Sequence, residues 1–278
     1  MKKSIAVTMA AIFGLMAGLV AAPVAESRER LVLQGSTTVL PITVKHAEEF
    51  MKRNPGTEIS VRGGGSGAGI KALIEGTIGM AQASRSIRDG EILEAKARGI
   101  KVVEHTIAGD ALAVIVHPEN PVANLTKAQI RDIYLGKTTN WREVGGKDQK
   151  IVVTSRDVAS GTFKAFNEKI LGKEKQRPDA LFLASSAAVV GTVTGTPGAI
   201  GYVGMGFLRP EIKALHVDGV AATAENLVAG KYPLGRPLFI YTAGEPTGLA
   251  KRFLDFIMSP DGQKIVKEAE FVPVGPVK

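Results

Sequence analysis

Residues 31–41 read LVLQGSTTVLP, and this segment decides the fold. Its first four residues predict a buried strand, and an apolar stripe through Val39, Val44 and Phe50 predicts a helix directly after it. The connecting Gly35-Ser36-Thr37-Thr38 lies where unpaired N–H groups and the positive end of a helix dipole favour an anion. The alternative for this segment alone is an ordinary hydroxyl helix cap.

The same order of strand, polar loop and helix recurs along the chain. Further loops rich in glycine and hydroxyl groups follow predicted strands at Gly63–Gly69, Ser84–Ser86 and Ser155–Thr162. Two of these loops contain an arginine, whose planar fork of donors suits a tetrahedral oxyanion. Each loop alone could be a flexible turn or a helix cap. No GxxxxGK[ST] motif is present, and no GxGxxG motif is suitably placed for a dinucleotide.

Alternating strands and helices predict an α/β protein. Further strands are predicted at Ile100–Ile107, Ala111–Val116, Ile151–Val153 and Ala199–Val203, and a helix pair at Thr247–Phe271. No linker of distinct composition divides the chain. If there are two lobes, we expect hinges near Gly109-Asp110 and Gly235-Arg236-Pro237.

Composition narrows the class of protein. The 278 residues are 45% hydrophobic and 22% charged, which excludes a disordered chain. The net charge of +8 favours an anionic partner but is spread too evenly for a nucleic-acid arm. No cysteine is present and the four histidines are scattered, so we expect no metal site, no thiol nucleophile and no cofactor of those types.

The first 27 residues are predicted to be a signal peptide. Met1-Lys2-Lys3 is basic, Ile5–Val20 is apolar, and small residues lead to cleavage after Ala25 or Ser27. The apolar stretch is shorter than the roughly 20 residues of a membrane-spanning helix, which disfavours the alternative of a membrane anchor. A lipid anchor would require a cysteine, so we expect an exported protein that diffuses freely.

The loops, taken together, resemble a known family. Seven segments in order look like recurrent segments of the periplasmic phosphate-binding proteins of bacterial high-affinity phosphate ABC transporters. They are Gly35–Pro41, Arg62–Gly67, Ala83–Arg85, Thr139–Gly146, Arg156–Thr162, Pro197–Gly204 and Phe256–Gln263. These segments run through nearly the whole exported part of the chain.

The resemblance implies a two-lobed type II binding-protein fold that closes over inorganic phosphate. Residues 28–109 with 237–278 would form the first lobe, and 110–236 the second. A monomer without cofactor, metal or nucleic acid would deliver phosphate to membrane-embedded permease subunits, without enzymatic activity. Thr139–Gly146 would be a structural corner. The implied phosphate-binding residues are Ser36, Thr37, Thr38, Ser66, Ser84, Arg85, Arg156, Ser160, Gly161 and Thr162.

Two departures from the family concern the proton that hydrogen phosphate carries. Family members often have a carboxylate two positions after the loop arginine, where this chain has Val158. Some have an aspartate at the position of Arg85, which accepts that proton. We expect Asp157 to be the replacement acceptor, with Asp110 as the more distant candidate.

Three other functions remain open from the sequence. A binding protein for another oxyanion, such as sulfate or molybdate, would use the same donors. An exported phosphatase would need a nucleophile with a base or a metal, which these loops lack. A secreted adhesion or scaffold protein would leave the loops without a ligand.

Overall fold

The computed structural model describes residues 28–277, and the predicted signal peptide lies outside them. Helices and strands alternate through most of this range, which confirms the α/β class. The helices are α1 (Leu40–Arg53), α2 (Ser66–Ile74), α3 (Asp89–Ala97), α4 (Lys127–Leu135), α5 (Gly161–Phe166), α6 (Ser186–Gly195), α7 (Ala224–Val228), α8 (Gly248–Met258) and α9 (Pro260–Glu268). The strands are β1 (Glu29–Gly35), β2 (Thr57–Gly64), β3 (Met80–Ala83), β4 (Val102–Val116), β5 (Asn124–Leu125), β6 (Val152–Arg156), β7 (Leu181–Leu183), β8 (Ala199–Gly204), β9 (Lys213–Ala214), β10 (His216–Val217) and β11 (Gly235–Ala243).

Within the described residues, nine strands join one continuous sheet. Its order is β2-β1-β3-β11-β4-β8-β6-β7, with β9 added beside β4. The first lobe is built on parallel β1, β2 and β3, and the second on parallel β6, β7 and β8. Strands β4 and β11 run antiparallel to their neighbours and connect the two lobes. The predicted two-lobed architecture is confirmed.

Strand β4 corrects one prediction. The separate strands expected at Ile100–Ile107 and Ala111–Val116 are one strand, Val102–Val116. Its first part pairs with β11 and its second part with β8. The intervening Gly109-Asp110 pairs with Arg236 and Pro237 of β11, and this ladder pairing keeps the backbone extended there.

An aromatic contact holds the C-terminal helices against the first lobe. Phe50 on α1 lies 5.4 Å from the ring of Phe253 and 5.7 Å from that of Phe256, in edge-to-face geometry. The last helices of the chain therefore pack against the first one, although they are about 200 residues apart in sequence.

The second lobe packs around a second group of rings. Phe166 stacks on Tyr202 at 4.0 Å, and Tyr134 lies 4.5 Å from Phe166. The indole of Trp141 is buried and donates a hydrogen bond to the Gly198 carbonyl over 2.9 Å. Trp141 is therefore packed inside the second lobe.

Candidate functional site

Polar loops from both lobes meet at one buried set of side chains. Helices α1, α2, α5 and α6 begin there, directly after strands β1, β2, β6 and β7. The side chains that meet share a hydroxyl group and are at most 2% exposed. We call them the hydroxyl cluster: Ser36, Thr38, Ser66, Ser84, Thr162 and Ser186.

Hydrogen bonds cross between the lobes inside this cluster. Thr38 Oγ1 lies 2.8 Å from Thr162 Oγ1, and Ser84 Oγ lies 3.4 Å from the same atom. Ser36 Oγ donates to Ser84 Oγ over 2.9 Å within the first lobe. The structure therefore shows the two lobes closed against each other.

Glycines allow the loops to approach this closely. The Gly67 N–H of the first lobe donates to the Ala159 carbonyl of the second over 2.9 Å. Gly65 has φ +94°, and a Cβ there would lie 2.6 Å from the Ala159 oxygen. A Cβ on Gly161 would lie 2.2 Å from Ser66 Oγ. Side chains at these glycines would separate the lobes.

Arg156 is the buried cation of the site. It is 1% exposed, and its guanidinium donates to the carbonyls of Leu183 at 2.9 Å and Ala184 at 3.0 Å, and to Ser186 Oγ at 3.2 Å. Burial lowers the pKa of Arg156, and Asp157 opposes this only in part. Within residues 28–277 no carboxylate forms an ion pair with Arg156, so its charge lies next to neutral donors and acceptors.

Ser160 and Thr37 complete the predicted set beside the cluster. Ser160 Oγ accepts the Phe163 N–H over 3.2 Å as the N-cap of α5, which leaves its own hydroxyl proton to donate. Thr37 is partly buried, and its Oγ1 accepts the Ser186 N–H over 3.3 Å. The structure thus brings nine of the ten predicted site residues together.

The remaining predicted residue is Arg85, whose guanidinium bonds to groups outside the hydroxyl cluster. Its guanidinium forms a two-pronged ion pair with Glu91, at 2.8 and 2.6 Å, and also donates to the Ser86 carbonyl over 2.9 Å. Burial alone would raise the pKa of Glu91, but hydrogen bonds from Arg85 and the Arg88 N–H lower it overall. The charge of Arg85 is therefore balanced within the first lobe.

Asp157 stabilises the backbone of its own loop. Its Oδ1 accepts the N–H groups of Ala159 at 2.8 Å and Ser160 at 3.1 Å. This arrangement is an Asx turn, which fixes the backbone that leads into α5.

Asp110 is a buried carboxylate at the other side of the site. Its Oδ1 accepts the Met205 N–H over 2.9 Å, and its Oδ2 accepts from Arg236 Nε over 2.8 Å. Both carboxylate oxygens and Thr38 Cγ2 lie within 3 Å of the point where a Cβ on Gly204 would be. Asp110 therefore lies beside the hydroxyl cluster, separated from it only by a glycine.

Two residues of the site, Ser186 and Arg236, were not predicted from the sequence. Ser186 begins α6 after Leu181–Leu183, which is the same strand, loop and helix pattern, so a local signal existed. The sequence around Arg236 contains no pattern that indicates a role in the site. Arg236 Nη1 donates to the Ser84 carbonyl over 3.2 Å because β11 pairs with β4 and brings Arg236 opposite Asp110.

The donor set suits an anion more than a metal. In the part of the chain that the structure describes, no group of three or more histidine, aspartate or glutamate side chains could hold a metal ion. The hydroxyls, the arginine and the N–H groups at helix starts instead offer hydrogens to an acceptor.

Loops from two lobes closing on one buried donor cluster define a two-lobed solute-binding protein. A family model described as a PBP superfamily domain matches residues 20–261. The phosphate-binding protein PstS of Bacillus subtilis (strain 168) is 37% identical over 250 residues, which cover 89% of this chain and 82% of that protein. The chain therefore belongs to the PBP superfamily and, within it, to the family of the PstS phosphate-binding proteins.

Solved structures show the same relationship. A proposed phosphate ABC transporter substrate-binding protein from Clostridium perfringens, crystallised with bound phosphate, is 38% identical with a TM-score of 0.84. The match covers 88% of this chain and all of that one. An ABC-type phosphate transport receptor from Vibrio cholerae is 31% identical with a TM-score of 0.71, over 87% of this chain and 99% of that one.

Proposed function

We propose that this protein binds inorganic phosphate between its lobes and delivers it to the permease subunits of an ABC transporter, without enzymatic activity. The observation that carries the proposal is Arg156. A buried cation without a carboxylate partner is costly, and it lies here against hydroxyl groups at the starts of helices. A dianionic ligand with four acceptor oxygens would compensate the charge and accept from these donors. The related phosphate-binding proteins support this choice of ligand.

Both lobes supply donors in the proposed complex. The second lobe would contribute Arg156, Ser160, Thr162, Ser186 and the Gly161 N–H. Residues of the first lobe would contribute the other hydroxyls, namely Ser36, Thr37, Thr38, Ser66 and Ser84. Arg85 would act indirectly, through the loop that it holds with Glu91. No metal or cofactor takes part in this proposal.

Binding would be coupled to closure of the lobes. We propose lobes of residues 28–109 with 237–278 and of residues 110–236, hinged where β4 and β11 cross between them. The crossing strands pair with Arg236 opposite Asp110, and our proposal puts the hinges there. Because donors lie on both sides, phosphate binds more tightly to the closed form and shifts the population toward it.

Discrimination against sulfate would depend on Asp110. Hydrogen phosphate carries a proton near neutral pH and sulfate does not, so a buried acceptor favours the former and repels the latter. Asp157 was the expected acceptor, but it is only partly buried, and its Oδ1 stabilises the turn of its own loop. Asp110 is fully buried beside Thr38, and we assign the acceptor role to it.

Location and assembly follow from the resemblance and from the proposed signal peptide. We propose export, cleavage after Ala25 or Ser27, and a free monomer in the periplasm. Among residues 28–277, no helix has the length and apolar character needed to cross a bilayer.

Calorimetry on dialysed, chelator-treated protein tests this function. We expect one phosphate per chain and weaker binding of sulfate and molybdate. Arg156→Ala should weaken phosphate binding at least about a hundredfold, because hydrogen bonds to charged partners contribute roughly 1.5–3 kcal/mol each. The matched control is Arg142→Ala, which removes an exposed arginine from the same lobe. Tighter binding of sulfate or molybdate would reassign the ligand, and release of phosphate from an ester would overturn the non-enzymatic proposal.

A further inference from the structure

A cleft of about 530 Å³ opens between the lobes beside the hydroxyl cluster. One wall comes from the loop that leads from β3 into α3, the opposite wall from α5 and its extension, and the back from β11. Ser84 belongs to both places, because it lines the cleft while its hydroxyl contacts Ser36 and Thr162 in the cluster. The cleft is therefore directly adjacent to the proposed phosphate site.

Basic side chains predominate in the lining of this cleft. The acidic residues there are Asp89 and Glu168, and the basic ones are Arg85, Arg88, Lys164, Lys169 and Arg236. Three of the five cations are balanced, because Arg85 pairs with Glu91, Lys164 with Glu168 and Arg236 with Asp110.

Lys169 stands out among these cations. Neither Lys169 nor Arg88 has an ion-pair partner among residues 28–277, but Arg88 is exposed whereas Lys169 is only partly exposed. Burial lowers the pKa of Lys169, the like charges of Lys127 and Arg236 act in the same direction, and the charge of Glu168 opposes them only in part. An unpaired, partly desolvated cation next to further cations favours a site that an anion visits.

The local backbone holds Lys169 in this position. Helix α5 continues into a π-helical turn at Asn167–Leu171, a rare geometry that is frequent at functional sites. Ile170 and Leu171 of this turn are buried in the second lobe. Lys169 lies in this anchored turn and lines the cleft.

We propose that this cleft is an outer anion site, in which Lys169 captures hydrogen phosphate before it passes Ser84 to reach Arg156. The inference rests on the proposed function and adds a route of approach to it. An outer positive charge raises the local concentration of a dianion and thus the association rate, while the closed inner site sets the dissociation rate.

Stopped-flow binding of inorganic phosphate tests the outer site. The chain has no cysteine, so Val158→Cys, at a position that is 75% exposed, gives one attachment point for a fluorophore beside the closing loops. On this labelled parent, Lys169→Gln should slow association about threefold at low salt and leave dissociation unchanged. Lys169→Arg should restore the rate, because it keeps the charge. Lys147→Gln, which removes an exposed lysine elsewhere on the second lobe, is the charge-matched control.

The salt dependence of the association rate distinguishes electrostatic steering from a structural effect of the substitution. At about 1 M salt, where the Debye length is about 3 Å, the rates of Lys169→Gln and its parent should converge. An unchanged association rate in Lys169→Gln, or a loss that appears only in the dissociation rate, would overturn the outer site. If calorimetry shows that the parent binds no phosphate at all, the proposed function fails as well, so the two failures are distinguishable.

Discussion

Replacing His46 should make the protein less sensitive to acid. His46 lies on α1 with no exposed surface, and its Nε2 is 2.8 Å from the carbonyl oxygen of Gly262 at the start of α9. The Nδ1 atom is buried and has no hydrogen-bond partner among the described residues. The side chain is therefore neutral, with the proton on Nε2, which donates to Gly262. Burial lowers its pKa from 6.5 to about 4, and the hydrogen bond to Gly262 offsets this only in part.

The sign and size of the effect follow from linkage. At neutral pH the histidine is uncharged in both states, so it causes no pH dependence there. As pH falls below 6.5, the unfolded chain binds a proton that the folded chain does not bind until about pH 4. Each pH unit in this window costs about 1.4 kcal/mol of unfolding free energy, so His46 alone removes about 3 kcal/mol by the end of it.

Urea unfolding at a series of pH values measures this loss. His46→Gln places an amide N–H near the former Nε2 and cannot titrate, so its stability should fall less between about pH 7.5 and 4.5, by about 2–3 kcal/mol. Other titrating groups are shared and cancel in the comparison. The exposed His216 provides the control His216→Gln, which removes a histidine from the surface rather than from the core. Equal slopes for parent and His46→Gln would refute the assignment, whatever their stability at neutral pH.

Two further predictions concern the binding site. Gly161→Ala puts a Cβ 2.2 Å from Ser66 Oγ, so phosphate affinity should fall about tenfold to a hundredfold in calorimetry, in line with overpacking costs of roughly 1–3 kcal/mol. Gly191→Ala, which has open space around it, should bind like the parent, and equal affinities in both variants would contradict the closed geometry. Asp110→Asn should bring the phosphate and sulfate affinities closer together, whereas Asp157→Asn should leave their ratio unchanged. The opposite pattern would return the acceptor role to Asp157.

The sequence was informative wherever the site is built from local units. A strand, a polar loop and the start of a helix are contiguous in the chain, so Ser36, Thr38 and Arg156 could be identified without coordinates. Ser186 follows the same rule. Such patterns predict where a loop lies and which groups it offers.

Side-chain direction was not predictable in the same way. Arg85 has the same residue type and loop setting as Arg156, yet its guanidinium turns to Glu91, six positions later. Glu91 accepts the Arg88 N–H near the start of α3, and this places its carboxylate within reach. The outcome depends on the path of the chain after the loop, which residue type alone does not determine.

The pairing of Asp110 with Arg236 connects recognition to motion. The two residues face each other on the strands that cross between the lobes, 126 positions apart in sequence. From there Arg236 donates to the Ser84 carbonyl in the first lobe, and Asp110 accepts the Met205 N–H in the second. This ion pair forms a hydrogen bond to each lobe at the proposed hinge. A rotation of one lobe about β4 and β11 must therefore lengthen at least one of these hydrogen bonds. If Asp110 also accepts the proton of hydrogen phosphate, the ligand feature that distinguishes phosphate from sulfate acts on the same network that holds the lobes closed. Phosphate would then be preferred over sulfate for two reasons: it makes the better contact with Asp110, and it makes the closed form more stable.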